Sequence, residues 1–247
     1  MKKFWAAILA AALCPLAAGA WYELVSDASD QVALIARARS EWEPAAPGET
    51  VGFLVTDLDH NGRLEILVSD FGGTGLYTYT DAYEVNEAKT GLVRIVKTWG
   101  EGTSEADVMS KKNVRAYTDG ISGIEWYVVT DLLRDGRDYY HFLSALSLQN
   151  GNLVTWPLAK AFTHYDDEGG EHTSYEDGNG KVISEREFQS TEVRMFAPYE
   201  RTDVTWDWLM YHADTYGKDW LSADDETIKE RLLDSYLAFA EAKTAGR

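Results

Sequence analysis

Between two apolar runs the chain carries Asp57-Leu-Asp59-His-Asn61-Gly62-Arg63-Leu-Glu65. Read at alternate positions, Asp57, Asp59 and Asn61 each bring a side-chain oxygen toward one point. Gly62 permits the sharp backbone turn that carries the chain round. Arg63 then offers its backbone carbonyl, and Glu65 closes the shell. Calcium takes roughly six to eight hard oxygen ligands in a flexible arrangement of this kind. Zinc is served poorly, because His60 alternates away from the acids. The competing reading is an Asx-rich turn whose carboxylates simply meet solvent. If the loop binds calcium, the ion pins two strands and neutralises clustered acids, a structural task and not a catalytic one.

The first six residues of the loop follow the D-x-[DN]-x-[DN]-G opening of an EF-hand. The twelfth position is Val68 where a bidentate Glu would stand, and the flanking sequence reads as strand. With its acid at the ninth position, Thr56 to Ile66 resembles the calcium loop of FG-GAP or VCBS repeats. That resemblance covers residues 51–70. It implies Asp57, Asp59, Asn61, Arg63 through its backbone, and Glu65 as ligands, with a strand on either side. Such repeats usually build propellers of roughly four or more blades, and one good copy is present here. Val129-Thr-Asp131-Leu-Leu-Arg-Asp135-Gly136-Arg137 lines up with it either as a worn second copy, in which Leu133 replaces Asp59 and Tyr139 replaces Glu65, or as a coincidence of a common Asp-Gly-Arg turn. The run from Val55 to Asn86 also resembles secreted bacterial proteins without an assigned activity.

Other constellations are weaker. Asp177-Gly-Asn179-Gly180 followed by Ser184 and Glu187 mimics an EF-hand out of register, and reads better as a hairpin turn before a capped helix. His164 and His172 bracket Asp166, Asp167, Glu168 and Glu171, but their spacing follows no metal pattern. Trp99, Trp126, Trp156, Trp206 and Trp208 are read as core before they are read as sugar platforms. The sequence holds no nucleophile elbow. Phe71-Gly-Gly-Thr-Gly75 is too short to cradle a phosphate and leads into a strand.

Composition narrows the partners. The 41 acids outnumber 23 basic residues, for a formal charge of −18 over 247 residues and a pI near 4.6. Nucleic acid and anionic membrane surfaces both need a Lys/Arg footprint that this balance withholds. Residues 1–20 read as an export signal: Lys2 and Lys3, an apolar run from Phe4 to Ala12, and the small-residue site Ala18-Gly19-Ala20 before Trp21. Cleavage there removes two positive charges, from −18 to −20. It also removes Cys14, the only cysteine, so disulfides and thiolate sites are not expected in the mature chain. The expected location is extracytoplasmic, periplasmic or secreted, with no membrane span after cleavage.

The elements that must hold the loop read as follows. A helix is expected over Ser26 to Glu41, then a breaker at Glu43-Pro-Ala-Ala-Pro-Gly48. Strands are expected at Val51–Val55, Leu64–Val68, Leu76–Val85, Leu92–Trp99, Glu125–Val129 and Tyr139–Leu148. Asn150-Gly151 marks a tight hairpin into Leu153–Trp156. Ser184-x-x-Glu187 is a capping box for a helix reaching Phe196. Ser222-x-x-Asp225 opens a last helix with Ile228, Leu232, Tyr236 and Phe239 on one face. The sum is an α+β fold, mainly antiparallel sheet with N- and C-terminal helices, in a partial propeller-like or sandwich arrangement. Residues 21–247 are expected to form one β-rich domain, with a β core over 49–158 and mixed hairpin and helices over 159–247. The functional expectation is a secreted, calcium-stabilised binding or adhesion module of the bacterial cell envelope, whose partners are calcium and a carbohydrate or another envelope protein. The alternative is an extracytoplasmic carbohydrate hydrolase with a structural calcium site.

Overall fold

The computed structural model describes residues 15–43, 50–70, 79–98, 112–212 and 220–245. Cys14, the apolar run Phe4–Ala12, most of the Pro-rich breaker, Phe71–Gly75 and Trp99 lie outside the described residues. The fold is mainly antiparallel sheet with helices at both ends.

Helix α1 spans Pro15–Arg37 and begins well before the expected Ser26. The segment ahead of Ser26 is rich in Ala and Leu, which favour helix, and Pro is tolerated at a first helical position. Ala28, Val32, Ile35 and Ala36 are buried along one stripe. The chain bends at Ala38 into a single turn, α2 (Arg39–Trp42). Trp42 then closes back, donating from Nε1 to the Ile35 carbonyl at 2.8 Å and packing edge-on to Phe53 at 5.4 Å.

Two sheets follow. The first has the order β13-β1-β2-β3-β4, built from β1 (Thr50–Thr56), β2 (Glu65–Asp70), β3 (Tyr79–Val85), β4 (Leu92–Arg94) and β13 (Leu209–His212). β1 and β2 are buried along nearly their whole length. That explains why they read as unbroken apolar runs rather than alternating ones. The expected strand Leu92–Trp99 is divided at Ile95. Its first half is β4; its second, β5 (Val96–Thr98), runs parallel to β9 (Asn152–Tyr165) in the second sheet. One strand thus crosses from sheet to sheet.

The second sheet has the order β11-β10-β9-β8-β7-β6-β12. Its strands are β6 (Asn113–Thr118), β7 (Glu125–Asp135), β8 (Asp138–Gln149), β9, β10 (Glu171–Asp177), β11 (Val182–Ile183) and β12 (Glu200–Thr205). The Asn150-Gly151 hairpin forms as expected, with φ of 52° and 73° at its two residues, the left-handed pair a type I′ turn requires. β7, β8 and β9 all run longer than their apolar cores suggest. The expected strand Leu153–Trp156 continues through Pro157, which sits at a register shift opposite Ser144, where a missing N–H is tolerated.

A contiguous core takes side chains from both sheets and both end helices, among them Ile35, Phe53, Ile66, Tyr127, Leu146 and Phe239. Alternation along β7 and β8 sends Val128 and Ala145 to the opposite face, into a second cluster with Tyr117, Leu158 and Phe196. That face is covered by α3 (Glu185–Met195), whose capping box forms as expected: Ser184 accepts from the Glu187 N–H and Glu187 from the Ser184 N–H. The last helix, α4, runs Asp225–Ala245. Its N-terminal cap is Asp224, which accepts from Thr227 N at 2.9 Å, and not Ser222, which belongs to a single 3₁₀ turn. Ile228, Leu232, Tyr236 and Phe239 are buried, as their spacing predicts.

Candidate metal centre

Thr56 at the end of β1 pairs with Glu65 at the start of β2, so residues 57–64 form a loop closed at its neck. The sequence folds it through its own alternation. Leu58 and Leu64 are buried at 1% and 2% exposure and anchor the loop from below, which turns the intervening polar residues together. His60 and Gly62 take positive φ, 57° and 77°; Gly62 adopts its value without strain.

Asp57, Asp59 and Glu65 converge, each offering a carboxylate oxygen within 4.8 Å of the others. Glu65 is completely buried. Its Oε2 accepts from Thr56 Oγ1 at 3.0 Å and from Leu58 N at 2.8 Å. Its Oε1 is buried and has no hydrogen-bond partner. Burial, joined by the negative charge of Asp57, pushes the Glu65 carboxyl well above its ordinary range. Asp59 is also raised, chiefly by burial. An orphaned, buried oxygen on a carboxylate clustered with two more is costly unless a proton or a cation meets it.

Asn61 stands beside this group. Its Oδ1 accepts from Arg63 N at 2.7 Å, and its amide nitrogen donates to Asp59 Oδ2 at 3.0 Å and Glu84 Oε1 at 2.7 Å. The Arg63 guanidinium turns to Glu84, with Nη2 at 2.9 Å from both carboxylate oxygens. Arg63 thereby neutralises Glu84 and leaves its backbone in the loop.

Residues the sequence did not single out hold the loop in place. Gln31 of α1 donates to the Gly62 carbonyl at 2.8 Å and accepts from Leu64 N at 3.0 Å. The Tyr127 hydroxyl donates to the Leu58 carbonyl at 3.0 Å, and His60 pairs with the buried Glu125 of the other sheet. Glu125 and Tyr127 lie two apart on one strand face, the single sequence signal that joins them. Gln31, 31 residues before Gly62, carries none.

The other constellations fall elsewhere. Asp131 lies within β7 opposite Phe142, and its Oδ1 accepts from Leu132 N. The 129–137 segment is therefore a continuous hairpin arm and differs in shape from the Asp57 loop. Asp177 caps a tight turn, accepting from Asn179 N and Lys181 N, ahead of the capped α3. Trp206 is fully buried, Trp208 packs on it at 6.2 Å, and Trp126 meets Trp156 edge-on at 5.6 Å, in keeping with core roles. Among the described residues, the Asp57 loop alone brings three carboxylate, imidazole or thiol groups to metal-binding proximity. Compared with known proteins, the chain matches no family model, no curated protein and no solved structure.

Proposed function

We propose that the chain is a calcium-stabilised binding or adhesion module of the cell envelope, working outside the cytoplasm once residues 1–20 are removed. Asp57, Asp59 and Glu65 supply the charged ligands, with Asn61 and the Arg63 carbonyl completing the set. The observation that carries the metal reading is the buried, unpartnered Oε1 of Glu65 beside two further carboxylates. A hard cation offsets the desolvation of that oxygen and the mutual repulsion of the three acids at once. Export and the envelope setting rest on the sequence signal, and the fit to FG-GAP or VCBS loops supports calcium over other hard cations. In an extracellular setting an affinity on the order of 10⁻⁴ to 10⁻³ M suffices.

Thermal melts with calcium and with chelator test the reading. Calcium raises the melting temperature of the wild type and leaves Asp57→Asn and Asp59→Asn unmoved. Identical wild-type melts in calcium and in chelator would contradict it.

A further inference from the structure

The β9–β10 register sets opposite one another two imidazoles that the sequence leaves eight positions apart. His164 on β9 is the direct cross-strand partner of His172 on β10, and Asp138 on β8 is the direct partner of His164. Directly opposed residues of antiparallel strands project to the same side, with Cβ atoms about 4.5–5.5 Å apart. One acid and two imidazoles therefore stand in a row across three strands. The row lies on the face turned away from α3, because His141, an odd number of residues from Asp138 on β8, meets Phe188 of that helix.

Each imidazole is oriented by its own carboxylate. Asp138 Oδ1 is 2.7 Å from His164 Nδ1, which leaves the Nε2 edge outward. Asp166 Oδ2 is 3.2 Å from His172 Nε2, and Asp166 is itself fixed by accepting from Gly170 N at 2.6 Å. Both histidines are open to solvent, with side chains 46% and 69% exposed. As isolated surface ion pairs these contacts contribute little to stability. As a chelating pair with carboxylates on the rings, they match the chemistry of borderline divalent metals, which prefer imidazole nitrogen, and not that of calcium.

We propose that His164 and His172, oriented by Asp138 and Asp166, form a transition-metal site on this outer sheet face, separate from the oxygen-lined Asp57 loop and independent of it. The strongly acidic chain raises the local concentration of any cation near it.

The test is Cu²⁺ binding to the full chain at pH 7.5 with calcium present, read by titration calorimetry and by electron paramagnetic resonance. The wild type binds copper through two imidazole nitrogens, and Ni²⁺ and Zn²⁺ compete more weakly, following the usual affinity order. His164→Ala and His172→Ala each lose at least about tenfold in affinity and one nitrogen, and Asp138→Asn weakens binding through ring orientation. Asp57→Asn leaves copper binding unchanged. Because the substituted side chains are exposed, melting curves in chelator stay at the wild-type position. A copper signal unchanged in His172→Ala, or one lost in Asp57→Asn, would overturn the proposal.

Discussion

Glu65 is the residue on which the metal reading turns. Its Oε2 is satisfied by Thr56 and Leu58, whereas Oε1 is buried without a partner in a carboxylate that clusters with Asp57 and Asp59. A Gln at this position keeps an acceptor for the two donors and turns an amide toward the aspartates. Glu65→Gln is therefore expected to be at least as stable as the wild type in chelator and to show no gain from calcium, as measured by urea denaturation in both conditions. Tyr117 makes a second residue-scale prediction. Its hydroxyl donates to Glu192 at 2.7 Å and its ring stacks on Phe196 at 4.5 Å. Burial, with the carboxylate beside it, pushes the phenol from 10.0 up to about 12. The folded state thus holds this proton more tightly than the unfolded chain. Its contribution is intact below pH 10 and is lost as pH rises from there toward about 12. Tyr117→Phe should decline less steeply over that window in denaturation measured at successive pH values.

At the scale of elements, the signals that held were those whose geometry is local. Asn150-Gly151 required a two-residue turn, and the Ser184–Glu187 box required a helix start; both needed only their neighbours in sequence. The length of β9 was not legible, because Pro157 reads as a stop and its tolerance depends on a shift in pairing with β8. The division at Ile95 was hidden for a similar reason, since Val96–Thr98 is placed by β9, more than fifty residues on. Gly178, just past β10, packs against the shift at Pro157. A Cβ there would lie 2.1 Å from the Pro157 carbonyl oxygen, while the Gly178 N–H donates to Leu158 O. Gly178→Ala should cost roughly 1–3 kcal/mol in chemical denaturation, as other overpacked sites do.

Across the whole molecule, the Asp57 loop is a meeting point. α1 reaches it through Gln31, the first sheet through β1 and β2, and the second sheet through Tyr127 and His60–Glu125. α4 adds Ser235, whose Oγ receives Val55 N where β13 no longer pairs with β1. The ligand pattern was legible in sequence because it is contiguous. Gln31, Glu84 and Glu125 were not, because tertiary structure alone brings them to it. Gln31→Ala should destabilise the chain by about 1–3 kcal/mol through its lost hydrogen bonds to Gly62 and Leu64 and should weaken calcium binding, both measurable in one denaturation series with and without the ion.

The most direct measurement is equilibrium dialysis of the wild type and of Glu65→Gln against calcium up to about 10 mM, roughly ten times the weak end of extracellular affinities. One ion held per wild-type chain and none at that site in the variant is the expected result. A wild type that holds no calcium, or a variant that holds as much, would contradict the assignment of the loop as a metal centre.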